Sequence, residues 1–382
     1  MRLRTRILTG ALGFIALAIG VLAIALSYES ACGAATPPPK GMPRMKAIVH
    51  RCYGPAQTLA FEDVEKPTIG DRDVLIKVHA AGVNPHDWHM MLGKPYIMRL
   101  GLGLGAPHDM RLGVDFSGTV EAVGKDVTRF KPGDEVFGGY GGSFAEYISA
   151  HEDASFVHKP ANLSFEQAGA MGIAATTALQ GLRDHGRLQR GQKVLINGAS
   201  GGVGTFAVQI AKAYGAHVTG VCSTRNLELV RALGADEVID YTRENLVDRE
   251  ERYDLIIDNV GNHALSDLRK VLKPNGTVVM IGGPKRGRWI GPLSRIVKGM
   301  LAAPFVDEKF VFFMAQLNQD DLNVLADLAR AGKLTVAIDR SYRLDEVAAA
   351  MDYLGTRHAR GKVVLRIDPA FGLDEQPLSS AN

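Results

Sequence analysis

Cysteine is scarce in this sequence, which limits the kinds of site and cross-link that the chain can form. Its 382 residues include three cysteines, Cys32, Cys52 and Cys222, which lie far apart. We expect neither a disulfide framework nor a zinc knuckle, because both need several cysteines at defined spacings. The composition, 46% hydrophobic and 22% charged, is instead ordinary for a globular protein of two domains.

A large excess of one charge is also missing. The formal net charge is +3, and no basic run with interleaved aromatic residues occurs. Nucleic-acid binding depends on clustered lysines and arginines that neutralise phosphates. We therefore expect no nucleic-acid partner.

The N-terminus carries the longest uncharged apolar run, residues 7–26, behind three arginines among the first six residues. Twenty residues can span a bilayer as a helix, whereas signal-peptide cores are typically about 7–15 residues long. We expect residues 1–44 to be a single-pass membrane anchor followed by a proline-rich linker. Small residues at 31–35 leave a cleaved signal peptide open, and basic residues on both flanks leave open which side the domain faces.

A glycine-rich turn indicates the cofactor. Residues 194–197 form a short apolar run of strand type, and apolar residues recur at helical spacing from Thr205 onward. Strand, glycine turn and helix follow in the order that a dinucleotide site requires, with backbone N–H groups at the helix start facing the phosphates. The expected cofactor-binding residues of this turn are Ser200, Gly201, Gly202, Val203 and Gly204.

The next strand, residues 216–221, indicates which dinucleotide binds. An NAD site would place a carboxylate near its end to hold the ribose 2′-hydroxyl, but Ser223, Thr224 and Arg225 stand there. Two hydroxyls and a guanidinium suit a 2′-phosphate, so we expect NADP(H) in preference to NAD(H). The same residues also suit a polar turn that caps the next helix.

Seven short motifs resemble the zinc-free quinone oxidoreductase branch of the medium-chain dehydrogenase/reductase superfamily, and the resemblance runs from residue 45 to about 367. The matching segments are residues 81–85, 113–118, 130–136, 198–204, 233–236, 258–261 and 361–364.

The resemblance implies an α/β fold of two domains with the active site in the cleft between them. A GroES-like β-barrel substrate domain would cover residues 45–165 and be completed by residues 336–367. A Rossmann domain with a doubly wound parallel sheet would cover residues 166–335 and bind NADP(H). Residues 368–382 would form a tail, and the transmembrane helix would precede both domains.

The departures from zinc-dependent relatives bear on the chemistry. Those relatives carry a ligand cysteine where Asn84 stands, a His-Glu pair where Val114 and Asp115 stand, and a four-cysteine lobe that this chain lacks. His86, His89 and His108 could in principle regroup as ligands, but we expect no metal site. The resemblance then implies NADPH-dependent reduction of a quinone or an α,β-unsaturated carbonyl. A non-catalytic NADPH-binding redox sensor or adaptor, and an NAD(P)-dependent alcohol dehydrogenase, stay open as alternatives.

The family positions also suggest individual roles. Asn84 would make the polar contact to the acceptor, Asp87 would orient it, and Tyr140 would either donate a proton or pack as a loop aromatic. The remaining expected cofactor residues are Thr177, Tyr241, Asn259, Val260, Gly282, Gly283 and Lys362. An apolar edge strand near residues 309–314 makes a homodimer plausible.

Overall fold

The structure is a computed structural model that describes residues 2–35, 37–283, 287–291, 295, 297, 299–300 and 306–368. Most of the predicted tail, residues 369–382, lies outside the described residues.

The strands alternate with helices only in the second half of the chain. The strands are β1 (Arg44–Val49), β2 (Ala60–Glu65), β3 (Asp73–Val83), β4 (Asp115–Val123), β5 (Glu135–Gly139), β6 (Tyr147–His151), β7 (Phe156–His158), β8 (Lys193–Asn197), β9 (His217–Cys222), β10 (Glu237–Asp240), β11 (Tyr253–Asp258), β12 (Leu272–Met280), β13 (Lys309–Phe312), β14 (Ile338–Arg343) and β15 (Lys362–Arg366). The helices of the described part are α1 (Arg2–Ser27), α2 (Pro85–Leu92), α3 (Arg99–Leu102), α4 (Phe165–Gly169), α5 (Gly172–Gln180), α6 (Gly202–Ala213), α7 (Leu227–Ala232), α8 (Leu265–Lys270), α9 (Gln319–Arg330) and α10 (Val347–Gly355).

Six strands form a parallel sheet in the order β10-β9-β8-β11-β12-β13. Its central strands are nearly continuous apolar runs because helices cover both faces. Val194, Leu195 and Ile196 of β8 are fully buried. The strand order reverses between β8 and β11, which is where a doubly wound sheet opens a crevice for its ligand.

A second, mostly antiparallel sheet has the order β14-β15-β3-β4-β5-β7, with β6 also paired to β3. Its own buried cluster includes Ile76, Phe116 and Phe144. The last two strands of the chain, β14 and β15, therefore join the sheet that begins before the parallel sheet does. The fold thus consists of a GroES-like domain and a Rossmann parallel sheet.

The helix α1 forms over the segment expected to cross a membrane, and its large side chains from Phe14 to Ile24 are exposed. Residues 2–12 of this helix are described by their backbone alone. Across the described part of the chain, no helix is long and apolar enough to cross a membrane. The expected single-pass anchor, residues 7–26, is therefore not supported.

The expectation about cysteine needs a correction. Cys32 and Cys52 form a disulfide, with their Cα atoms 4.8 Å apart, whereas Cys222 is free and buried. Two widely spaced cysteines carry no spacing signal, and only the course of the chain past β1 brings them together. The segment directly after α1 is thus cross-linked by a disulfide to the substrate domain.

Candidate active site

The glycine turn between β8 and α6 has the geometry of a phosphate site. Gly198 has φ +81°, and a Cβ on Gly204 would lie 2.1 Å from the carbonyl oxygen of Gly198. The absence of a side chain at Gly204 therefore lets α6 pack directly against the turn. By contrast, a Cβ on Gly201 would meet nothing closer than 3.6 Å, so open space lies above this residue. The first N–H groups of α6 have no intrahelical acceptors and give the helix start a partial positive charge.

Polar and glycine residues follow β11 and β12 at the same edge of the sheet. In the described part of the chain, neither polar atom of the Asn259 side-chain amide has a hydrogen-bond partner, although both atoms are buried. Unsatisfied buried amides are costly, and this one fits a polar ligand in the crevice. Val260 is partly exposed beside it, and the backbone of Gly282 and Gly283 continues the same edge.

At the end of β9 the three expected phosphate-binding residues have separate partners. Arg225 donates through Nη2 to the carbonyl oxygen of His358 at 2.8 Å, and the Asn226 side chain joins Ser200 to Ser223. Thr224 donates its hydroxyl to the Asp240 carboxylate at 2.5 Å. This bond favours the ionised form and lowers the pKa of Asp240.

The position of Asp240 is a feature that the sequence analysis did not foresee. The carboxylate of an NAD site is expected at the end of β9, whereas Asp240 ends the neighbouring strand β10. Tyr241, directly after it, is largely exposed. This end of the parallel sheet therefore carries both a guanidinium and a carboxylate.

The most buried polar group of the cleft is a cluster of Asn84, Asp115 and Lys362. Lys362 donates through Nζ to Asn84 Oδ1 at 2.5 Å and lies 3.5 Å from Asp115 Oδ2, while Asn84 Nδ2 donates to Asp115 Oδ2 at 2.9 Å. Exposed fractions are 1%, 0% and 3% for Asn84, Asp115 and Lys362. Asp115 Oδ1 also accepts the Ile173 N–H of the first turn of α5 at 2.7 Å. A buried ion pair needs such additional hydrogen bonds to offset the cost of removing both charges from water.

The electrostatics of this cluster are set by burial. Desolvation raises the pKa of Asp115, and the positive charge of Lys362 works in the opposite direction. The Asn84 amide uses its hydrogens on Asp115 and on the Gly82 carbonyl, so in this geometry Asn84 connects the two charged groups. Lys362 was expected near a phosphate; its ammonium group faces Asn84, while its aliphatic stem passes 3.3 Å from the position of a Cβ on Gly202.

The start of α2 places two titratable groups beside this cluster. Asp87 accepts the Asn84 backbone N–H at 2.8 Å and is buried. His86 Nδ1 lies 3.8 Å from Asp87 Oδ1, and the His86 side chain is 45% exposed. Asp87 favours the charged imidazolium and raises the pKa of His86. Sequence reasoning considered His86 only as a metal ligand, although its neighbours Asn84 and Asp87 were a signal for a proton-transfer role.

Two other expected residues lie in more ordinary surroundings. Tyr140 donates its backbone N–H to Val114 at 2.8 Å and packs, partly buried, against the core of the substrate domain. Thr177 is buried in α5, where its hydroxyl donates to the Ile173 carbonyl at 2.7 Å. Their expected roles in catalysis and cofactor binding stay predictions.

Metal ligands are not assembled near the cleft. Over the residues that the structure describes, no three His, Cys, Asp or Glu side chains come together in a group able to hold an ion.

Comparisons with known proteins agree with this architecture. The family model for the alcohol dehydrogenase GroES-like domain matches residues 70–161, and that for the zinc-binding dehydrogenase matches residues 233–365. The chain is 35% identical to the mitochondrial NAD(P)H oxidoreductase RTN4IP1 of Mus musculus, over 91% of this chain and 100% of that protein. It is 34% identical to the chloroplastic quinone-oxidoreductase QR1 of Triphysaria versicolor, over 84% of this chain and 98% of that protein.

A solved structure is similar over the same extent. The quinone oxidoreductase from Coxiella burnetii superposes with a TM-score of 0.73 at 31% identity, covering 85% of this chain and 100% of its own. The long coverage at this identity extends across both sheets, and therefore across the glycine turn and the Asn84 cluster. The chain belongs to the medium-chain dehydrogenase/reductase superfamily, among its quinone oxidoreductase-like members, and is an NAD(P)-dependent oxidoreductase.

Proposed function

We propose that this protein is a zinc-independent reductase that prefers NADPH and reduces quinones or α,β-unsaturated carbonyl compounds. One observation carries the proposal. The N–H of Gly361 donates to the Ser200 carbonyl at 2.9 Å, and Gly361 pairs with Gly201. This contact sets Lys362 between the phosphate-binding turn and Asn84, so a nucleotide on the turn and an acceptor at Asn84 would be held side by side.

The residues present fit a nicotinamide dinucleotide. The pyrophosphate would lie over Gly201 at the start of α6, where there is open space and a partial positive charge. The unpartnered amide of Asn259 would meet the nicotinamide end, and Ser223 with Arg225 would hold a 2′-phosphate. When bound, the nicotinamide supplies a hydride that activated alkenes and quinones accept readily.

The protein groups then act on the acceptor. The ammonium of Lys362, paired with Asp115 and hydrogen-bonded to Asn84, would offset part of the negative charge that develops on the acceptor oxygen. His86, with its pKa raised by Asp87 and its ring exposed, is placed to supply the proton that completes the reduction. Asp115 holds the Lys362 side chain in place and is a positioning residue.

Names of relatives support the acceptor class. The tomato (Solanum lycopersicum) relative is a 2-methylene-furan-3-one reductase, 35% identical over 85% of this chain, and an Arabidopsis thaliana relative is an NADPH-dependent alkenal/one oxidoreductase. Both names describe reduction of an alkene next to a carbonyl group.

The test is NADPH and NADH consumption by the full chain with a panel of quinones, enones and simple alcohols, before and after dialysis against a strong chelator. We expect NADPH-dependent reduction of at least one quinone or enone, undiminished by the chelator. Turnover that is lost on chelation and restored by zinc, or turnover of alcohols alone, would overturn the proposal. Cofactor binding without turnover of any compound would favour the redox-sensor alternative.

A further inference from the structure

The last residues of α1 and the chain that follows them pack against the substrate domain. Leu26 is 4% exposed, and residue Glu29 pairs with Gly105 in a short parallel bridge, with the Ser30 N–H donating to the Gly105 carbonyl at 2.9 Å. The disulfide between Cys32 and Cys52 closes this attachment. We refer to residues 26–32 as the N-terminal strap.

Arg99 joins the strap to the loop that follows α2. Its side chain is 0% exposed, and its guanidinium donates to the carbonyls of Leu26 at 3.1 Å and Tyr28 at 3.0 Å. The same guanidinium donates to the Glu29 carboxylate at 2.8 Å and to the Gly93 carbonyl at 2.8 Å. A buried guanidinium must use its donors in this way, because each one left unpaired is costly.

These contacts connect the N-terminal strap to the cluster of Asn84, Asp115 and Lys362. Arg99 binds the carbonyls of Leu92 and Gly93 at the end of helix α2, whose N-cap residue is Asn84 and whose first turn contains His86 and Asp87. Just before Arg99, the N–H of Tyr96 donates to the Arg288 carbonyl at 2.8 Å, on the cofactor-domain side. The loop of residues 93–108 therefore lies between the strap, α2 and the cofactor domain.

Two aromatic rings complete the contact. The guanidinium carbon of Arg99 lies 4.4 Å from the ring centre of Tyr53 and 4.7 Å from that of Tyr96. The Tyr53 hydroxyl donates to the Gly103 carbonyl at 2.9 Å, and Tyr53 directly follows the disulfide residue Cys52. The disulfide thus holds the strap against the same residues that fix the loop.

We propose that the N-terminal strap, through Arg99, positions the loop of residues 93–108 and with it helix α2, whose start lies at the proposed acceptor site, and that the Cys32–Cys52 disulfide makes this positioning dependent on redox state. Cys32 is exposed, so a dithiol can reach it. A thiolate of the dithiol attacks one sulfur of the disulfide and breaks the S–S bond. The second thiol of the same dithiol then resolves the mixed disulfide. Two electrons and two protons pass to the protein, giving two cysteine thiols, and the dithiol becomes a cyclic disulfide. The strap then loses its covalent end, and the loop becomes more mobile.

The effect on acceptor binding rests on the proposed function, whereas the effect on the loop does not. The experiment therefore has two readouts on the full chain, oxidised and reduced with dithiothreitol: amide hydrogen exchange of residues 84–108, and steady-state kinetics. On reduction we expect exchange in residues 93–108 to rise by about tenfold. We expect the acceptor KM to rise by about fivefold, with kcat and the NADPH Kd within about twofold.

The Cys32→Ala/Cys52→Ala variant should behave as the reduced protein and show no further response to dithiothreitol. Glu29→Gln should produce a smaller rise in exchange, and Arg99→Gln a larger one. Arg72→Gln, which removes an ion pair with Glu152 elsewhere in the same domain, is the matched control and should leave the loop unchanged.

Unchanged exchange in the reduced protein and in Glu29→Gln would overturn the proposal even if Arg99→Gln did not fold. Changed exchange with an unchanged acceptor KM would confine the strap to a structural role and overturn its positioning role. If the protein turned over no acceptor, the proposed function would fail, while the exchange data would still decide whether the strap holds the loop.

Discussion

At the residue scale, the cleft depends on one buried charge pair. Asp115 is fully buried, which alone would raise its pKa, and Lys362 is the cation that opposes this rise. Asn84 bridges the two side chains, and the Ile173 N–H adds a donor to the carboxylate. A pair of this kind does not stabilise a fold relative to apolar residues, but breaking it from one side is costly.

Lys362→Met should therefore destabilise the protein by about 3–5 kcal/mol at neutral pH. Without Lys362, the pKa of Asp115 rises further above its unfolded value. The loss of stability of Lys362→Met relative to the unsubstituted protein should therefore grow as pH rises through the folded-state pKa of Asp115, and it should shrink as pH falls. Chemical denaturation across pH measures this, and Asp115→Asn/Lys362→Met should recover much of the loss. Unchanged stability of the Lys362→Met variant would show that the pair is not buried as described.

Deprotonation of His86 should cause the decrease in kcat at alkaline pH, which we call the alkaline limb. Its pKa is raised by Asp87, so the charged form persists to higher pH and is lost as pH rises through the folded-state value. Asp87→Asn should move the fall in kcat to lower pH, and His86→Asn should remove this limb together with about 10²–10⁴-fold of the rate. His89, whose pKa is lowered by burial on the same helix, is the control: His89→Gln should leave the limb in place. A limb unaffected by His86→Asn would assign the proton to another group.

Arg225 should discriminate between the two dinucleotides. Arg225→Asp replaces attraction to a 2′-phosphate by repulsion. We expect NADPH affinity to fall by at least about tenfold more than NADH affinity, equivalent to about 1.4 kcal/mol of selectivity. Arg231→Asp, the same charge change in the last turn of α7, controls for net charge. Equal losses for both cofactors would remove Arg225 from the 2′-phosphate site.

At the scale of elements, the sequence was most informative where one segment contains the whole signal. Strand β8, the glycine turn and α6 lie where the apolar run and the glycine spacing predict them. Groups that meet only through the fold were not predictable. Asp240 reaches the cofactor crevice from a neighbouring strand, Arg99 reaches residues 70 or more positions away, and the disulfide joins two unpatterned cysteines. The apolar N-terminal run predicted a helix correctly, but its expected role as a membrane anchor is not supported.

The two glycines of the turn should separate folding from binding. Gly204→Ala places a methyl group 2.1 Å from the Gly198 carbonyl oxygen, and such overpacking typically costs about 1–3 kcal/mol. Gly201 has φ −86°, which any residue adopts, and has open space above it. Gly201→Ala should therefore keep its stability and lose NADPH affinity. Thermal unfolding and cofactor titration of both variants measure the two effects. A Gly201→Ala protein that binds NADPH normally would place the phosphates elsewhere.

At the scale of the whole molecule, the chain first forms strands β3 to β7 of the antiparallel sheet and then the parallel sheet. Its last two strands, β14 and β15, belong to the antiparallel sheet again. Because β15 follows Gly361, the return brings Lys362 to the cleft at the same point where Gly361 contacts the glycine turn. Asn84 and Lys362, which are 278 positions apart, thus meet in one cluster, and the backbone contact of Gly361 holds that cluster beside the glycine turn. The N-terminal strap adds a covalent attachment on the acceptor side.

The central claim is that reducing equivalents pass from bound NADPH directly to an acceptor held beside Asn84. The most direct measurement uses NADPH carrying deuterium at the transferable C4 position, with an enone as acceptor and mass spectrometry or NMR of the product. Direct hydride transfer should place one deuterium at the β-carbon of the saturated ketone, while the α-carbon takes its proton from solvent through the protein. Product without deuterium at the β-carbon, or deuterium at the carbonyl carbon of an allylic alcohol, would contradict it.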